Sequence, residues 1–209
     1  MCHGFGELKF ILCEVAVKMR NEIILIGPMG VGKSTVSKRL SEKLNKSHIN
    51  IDEIRFKYYE EIGYDKNTVE QLGKEKGFLN GVYRYWKPFE LYAVKQILNE
   101  YSDCIFDFGA GHSVYEDDKM FQEAQEILND FKNVILLLPS ANSEESTEIL
   151  SKIYKPEAEN DVEMIDFIKH TIEHHSNNDL AKYVIYGAKR KSIDDLTDEI
   201  ISVISCCSK

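Results

Sequence analysis

The chain of 209 residues, 43% hydrophobic and 29% charged, is long enough for one well-cored domain and short for two. With 12 Gly and 4 Pro it is neither collagen-like nor linker-rich. Its 26 basic and 35 acidic residues leave a net charge of −9, which argues against nucleic acid or an anionic membrane as partner but not against a locally bound phosphate.

In chain order, residues 1–18 carry a short apolar stretch, Phe10 to Cys13, flanked by Glu7, Lys9 and Glu14. That order is not a signal peptide, and the segment reads as an N-terminal extension with Met19 as a candidate start. No apolar run approaches the ~20 residues that span a bilayer. The odd set of cysteines, Cys2, Cys13, Cys104, Cys206 and Cys207, contains no C-x-x-C pair, which suits free thiols in a reducing cytoplasm.

Residues 19–209 read as a single domain. Continuous apolar runs point to strands buried on both faces of a parallel sheet: residues 23–26 and 134–138 are the clearest, with 48–52, 104–108 and 183–186 weaker. Helices are expected at about 33–44, 89–100, 117–131, 161–174 and 193–204, the last opened by a Ser192–Asp195 cap. Strands alternating with helices predict an α/β fold, a doubly wound five-stranded parallel sheet flanked by helices. Two stretches break the alternation. Residues 53–88 hold Tyr58, Tyr59, Tyr64, Tyr83, Tyr85 and Trp86 and are expected to be an acceptor-binding insertion; the acidic stretch 140–160 is expected to be a lid. Surface decoration is the competing reading of both.

Gly27-Pro28-Met29-Gly30-Val31-Gly32-Lys33-Ser34 matches the phosphate loop G-x-x-x-x-G-K-[ST]. Its glycines let successive N–H groups converge on phosphate oxygens, Lys33 brings charge to the β- and γ-phosphates, and Ser34 offers a hydroxyl to Mg²⁺. The helix opening at Lys33 aims its positive end at the same place. ATP and Mg²⁺ are therefore the expected cofactors, on the fold of the P-loop nucleoside triphosphate hydrolases. The chain has neither Asn-Lys-x-Asp nor Asp-x-x-Gly, the GTPase signals, and it is small for an ATPase machine. A small kinase acting on a small molecule is the natural remainder.

The run from Ile24 through the loop to Thr35, with a strand ending in Asp52, Phe108-Gly109-Ala110-Gly111-His112 after the third strand, and Asn178 to Ile185 followed by 192–201, resembles shikimate kinase and its small-metabolite kinase relatives. The resemblance implies that Asp52 contacts the acceptor hydroxyl and orients or deprotonates it, that Gly109, Ala110 and Gly111 let backbone approach the acceptor, and that Thr35 and Arg190 join the nucleotide side. It also implies a carboxylate acceptor held by arginines. Here residues 140–182 contain no arginine, Asn50 stands where the family has a first aspartate, and only Arg55 and Arg84 lie in the acceptor half.

Other residues carry paired readings. Asp107, in an otherwise apolar strand, is either a carboxylate acting on Mg²⁺ through water or a buried hydrogen-bonded Asp. His112 either reaches a substrate oxygen or has no role. Arg190 either stacks on adenine or belongs to a surface charge cluster. Lys152 and Lys155 are the lid's only candidate cations, and His174-His175 complements a helix C-terminus. The expected activity is transfer of the γ-phosphoryl group of ATP to a hydroxyl of a small metabolite. The alternatives are a nucleotide-binding regulatory protein with little phosphotransfer and a nucleoside or nucleotide kinase.

Overall fold

The structure is a computed structural model that describes residues 19–152, 159–188 and 191–206. Five strands form one parallel sheet in the order β2-β3-β1-β4-β5: β1 Arg20–Ile26, β2 Ser47–Asn50, β3 Cys104–Asp107, β4 Phe131–Leu138 and β5 Tyr183–Tyr186. Strand β1 pairs in parallel with β3 (Ile24 opposite Phe106) and with β4 (Ile24 opposite Val134). Their apolar runs are continuous because the sheet is buried on both faces.

Alternate residues of the central strands feed two separate cores. Ile24, Ile26, Phe106 and Leu136 face one layer, while Ile23, Leu25, Ile105, Ile135 and Leu137 face the other. The first layer contains α2 Ile51–Glu61 and α4 Arg84–Glu100, through Ile51, Tyr59, Val94 and Ile97. The second contains α1 Lys33–Leu44 and α9 Ile193–Cys206, through Val36, Leu40, Leu196 and Ile200. The doubly wound sheet expected from the apolar runs is thus what the chain forms. Ser192 caps α9 as its spacing from Asp195 predicts, its Oγ accepting from Asp195 N at 3.1 Å.

The stretch 53–88 is largely helical. Helix α2 is followed by α3 Lys66–Gly77 and then by a π-helical turn, Phe78–Tyr83, that runs directly into α4. Strand β2 ends at Asn50, two residues before the boundary expected at Asp52. Asn50 is instead the N-cap of α2, its Oδ1 accepting from Asp52 N at 3.0 Å, so Asp52 sits in the first helical turn. Of the stretch 140–160, the described part contains α6 Ser143–Ser151, whose Leu150 enters the second core beside Ile168 and Ile172 of α7 Glu159–Glu173. Helices α5 Asp118–Asn129 and α8 His175–Leu180 complete the set among the described residues. His174 N-caps α8, its Nδ1 accepting from Ser176 N at 3.3 Å. Among the described residues no helix is long and apolar enough to cross a membrane. The extension 1–18, Lys155 and Arg190 lie outside the described residues.

Candidate active site

A cavity of about 480 Å³ opens at the carboxyl edge of β1 and β3, where ligands bind in open α/β sheets. Its floor is the phosphate loop between β1 and α1. Gly27 has φ 137°, and a Cβ there would meet the Leu137 carbonyl oxygen at 2.6 Å, so the loop can leave β1 this closely only with glycine. Gly30 and Gly32 also take positive φ, and Val31 turns into the core. Met29, Gly30, Gly32, Lys33, Ser34 and Thr35 line the cavity.

Lys33 folds back over its own loop, its Nζ donating to Gly27 O at 2.9 Å and Pro28 O at 3.1 Å. Burial pulls its pKa below the ordinary lysine range, opposed by the negative charges of Asp107 and Asp52. Asp107, at the end of β3, is buried and its pKa is raised by burial, against hydrogen bonding from the Ser34 hydroxyl and the charges of Lys33 and His48. Its Oδ2 has no hydrogen-bond partner, and His48 Nε2 stands 3.7 Å away. A hydroxyl and a buried carboxylate with a free oxygen suit Mg²⁺, which keeps several waters and needs few protein ligands. Among the described residues no cluster of three or more His, Cys, Asp or Glu could form a cation cage. The donor set therefore fits an ion shared with bound phosphates.

The opposite wall is the half where the sequence leads one to expect an acceptor. Asp52 lines it and pairs with Arg55 Nη1 at 3.0 Å on the next turn of α2. Gly109 abuts this carboxylate: a Cβ there would lie 2.5 Å from Asp52 Oδ1 and 2.5 Å from His112 Nδ1. Ala110 and Gly111 line the cavity beside it. His112 is fully buried with both ring nitrogens unpartnered, and burial lowers its pKa against the charges of Glu90 and Asp52.

Arg84, expected at the acceptor, is exposed and does not line the cavity. Tyr83, Trp86 and Glu90 do, and the spacing 83, 86, 87, 90 is one helical face from which position 84 is excluded. Lys87 and Glu90 lie on this face too, buried at 5% and 2% exposure, although their i,i+3 spacing alone is that of an ordinary surface pair. Lys87 Nζ donates to Glu90 Oε2 at 2.6 Å, Gly111 O at 2.7 Å and Val114 O at 2.9 Å, tying α4 to the glycine loop. Also unforeseen is the roof from α7. Phe167 packs edge-on against Phe78 and Tyr83, with ring centroids 5.3 and 5.2 Å apart, and Glu163 Oε2 accepts from Phe78 N at 3.0 Å. Lys152 is exposed and pairs with Glu148 at 2.8 Å, away from the cavity lining.

The AAA domain family model matches residues 23–122. Shikimate kinase from Francisella tularensis subsp. holarctica is 33% identical over 89 residues, 43% of this chain and 44% of that protein. tRNA dimethylallyltransferase from Thermodesulfovibrio yellowstonii is 32% identical over 88 residues, 42% of this chain and 28% of that protein. The matched stretches thus span less than half the length of these curated relatives. Among solved structures, shikimate kinase from Aquifex aeolicus superposes with a TM-score of 0.59 at 19% identity, covering 90% of this chain and 98% of that one. Shikimate kinase from Bacteroides thetaiotaomicron gives 0.56 at 21%, covering 88% and 98%. A gluconokinase from Sinorhizobium meliloti gives 0.55 at 10%, covering 91% and 94%. At such identities the likeness establishes the fold.

Proposed function

We propose that this chain, whose fold is similar to that of shikimate kinase, is an ATP- and Mg²⁺-dependent kinase that moves the γ-phosphoryl group to a hydroxyl of a small metabolite. The observation that carries this reading is one cavity lined by both Lys33 of the phosphate loop and Asp52 across from it, close enough for the Asp52 charge to act on Lys33. The kinase names of the structural neighbours and of the 33%-identical relative agree with it.

In this mechanism Lys33 exchanges the Gly27 and Pro28 carbonyls for β- and γ-phosphate oxygens. Together with the loop amides and the N-terminus of α1, it offsets the charge that develops there. Ser34 and, through water, Asp107 would hold Mg²⁺, which supplies charge neutralisation and in-line orientation when bound. Asp52 accepts the proton of the acceptor hydroxyl as its oxygen forms the new bond to phosphorus. The bond from phosphorus to the β-phosphate oxygen breaks, and ADP leaves with those electrons. Arg55 holds the Asp52 carboxylate in place, and the aromatic wall keeps water from competing for the phosphoryl group.

Release of ADP from ATP and Mg²⁺, followed across a panel of hydroxyl metabolites, tests the proposal. Acceptor-dependent turnover that disappears in both Lys33→Ala and Asp52→Asn supports it. Tight ATP binding with no turnover on any acceptor sinks it, and would favour a nucleotide-binding regulator.

A further inference from the structure

We infer that His112 is a positioning residue of this site: its Nδ1–H points at Asp52 Oδ1 and, together with Arg55, aims the other carboxylate oxygen at the acceptor hydroxyl. The inference rests on the kinase reading and adds to it a side chain that does not touch the substrate.

The burial of this ring is costly as it stands. The His112 side chain is fully buried, and both ring nitrogens lack a partner. A neutral histidine always carries one N–H, and a buried donor left unpaired is strongly disfavoured. A leucine in the same slot would avoid that cost. Burial keeps the ring neutral against the charges of Glu90 and Asp52, so it meets Asp52 as a hydrogen-bond donor rather than as a counter-ion.

The surroundings direct that N–H to Asp52. Nδ1 stands 4.0 Å from Asp52 Oδ1. Gly109 lies against both atoms, and a Cβ there would be 2.5 Å from each, so a side chain at this position would part them. Glu90, the other carboxylate acting on the ring, already accepts from Lys87 through Oε2 at 2.6 Å.

The two partners differ in freedom. His112 sits on a pinned loop: its backbone N–H donates to Gly109 O at 3.0 Å, and its carbonyl accepts from Tyr115 Oη at 2.9 Å. Lys87 Nζ holds the nearby carbonyls of Gly111 and Val114. The Asp52 side chain is 49% exposed, in the first turn of α2. A shift of about 1 Å by Asp52 closes the gap to an ordinary hydrogen bond. Oδ1 then accepts from His112 Nδ1 as well as from Arg55 Nη1, which is already 3.0 Å away. Oδ2 is left to take the proton of the acceptor hydroxyl, and His112 keeps its own proton throughout. A rigid donor behind a mobile base fixes where the base points without entering the reaction.

The tautomer tests this without any acceptor. The chain has 6 histidines, and nitrogen-15 spectra of histidine-labelled protein report which nitrogen of each ring is protonated, with His112→Asn identifying the ring in question. Near neutral pH His112 is expected as the Nδ1–H form, and Asp52→Ala should return it to Nε2–H. An Nε2–H ring in the parent, or one that ignores Asp52→Ala, overturns the inference. With an acceptor from the metabolite panel, His112→Leu should lower kcat by about 10–100-fold at nearly constant KM for ATP and acceptor, in a protein no less stable to denaturant. His112→Asn, whose amide N–H takes the place of Nδ1, should keep most of the turnover, and His112→Gln, which reaches the place of Nε2, should not. A kcat unchanged in His112→Leu, or a loss that Asn and Gln repair alike, counts against the positioning role. The two readings fail separately. A parent with no turnover on any acceptor sinks the kinase reading while the tautomer still decides whether His112 holds Asp52, and an Nε2–H ring in an active kinase sinks this inference alone.

Discussion

Lys87 Nζ and Glu90 Oε2 lie 2.6 Å apart on one face of α4, both side chains almost completely buried between the π-helical turn and the glycine loop. Removing one member of such a pair leaves a buried charge unsatisfied, and here it also orphans the carbonyls of Gly111 and Val114. Lys87→Ala should therefore cost about 3–5 kcal/mol of stability, while Lys87→Met combined with Glu90→Leu should recover much of it. Denaturant unfolding of the single and double variants checks this. A single variant as stable as the parent would mean that the pair is hydrated.

Gly109 has a different dependence. A Cβ at this position would press on both Asp52 Oδ1 and His112 Nδ1. The flexible Asp52 side chain is the one that yields, since His112 is fixed in the core. Gly109→Ala should lower turnover by up to about 10²-fold, the effect of displacing a reacting group by roughly 1 Å, while nucleotide binding stays near its original strength. Separate measurement of kcat and of ADP affinity distinguishes the two effects.

These residues also mark what the sequence makes legible. The phosphate loop is readable because its chemistry is local and fixed in order. Strands β1 and β4 are readable because burial on both faces demands unbroken apolar runs such as Val134 to Leu138. The strand expected over 48–52 is a weak apolar run, and it stops at Asn50 because the Asn50 side chain caps α2 and shifts the boundary. Lys87 and Glu90 resemble an ordinary i,i+3 surface pair, and only the packing of α4 against the loop after β3 buries them. The roof formed by Phe167 depends on α7 returning from the far side of the sheet, a long-range contact that no local pattern encodes.

Acid should weaken the fold in two stages. Burial holds the His112 pKa below its usual 6.5, so its contribution is complete above the unfolded value and is lost as the pH falls below 6.5 toward the folded one. Glu116 responds lower down. Burial would raise its pKa, but the hydrogen bond from His170, at 2.6 Å, and the charge of Lys87 outweigh burial and bring it from 4.5 to about 2. Its contribution is present above 4.5 and is lost as the pH falls toward 2. Unfolding free energies measured across pH should show both limbs. His112→Gln should flatten the upper limb and Glu116→Gln the lower, and a variant that leaves its own limb unchanged would refute that assignment.

Asp107 offers the sharpest test of how the proposed Mg²⁺ would be held. Its Oδ2 is buried without a hydrogen-bond partner, and its neighbours Ser34 and Lys33 both favour the charged form against burial. A carboxylate that acts on Mg²⁺ through water orients the ion rather than binding the nucleotide, so Asp107→Asn should leave most of the ATP affinity carried by Lys33 and the loop amides. The Mg²⁺ concentration for half-maximal turnover should rise by about 10–100-fold, the usual effect of losing an outer-sphere partner. If the Mg²⁺ dependence stays fixed while the protein loses stability, Asp107 is a hydrogen-bonded core residue, and the metal is held by Ser34 and the phosphates. If both the Mg²⁺ dependence and the ATP affinity collapse, the carboxylate instead fixes the geometry of the phosphate loop through Ser34.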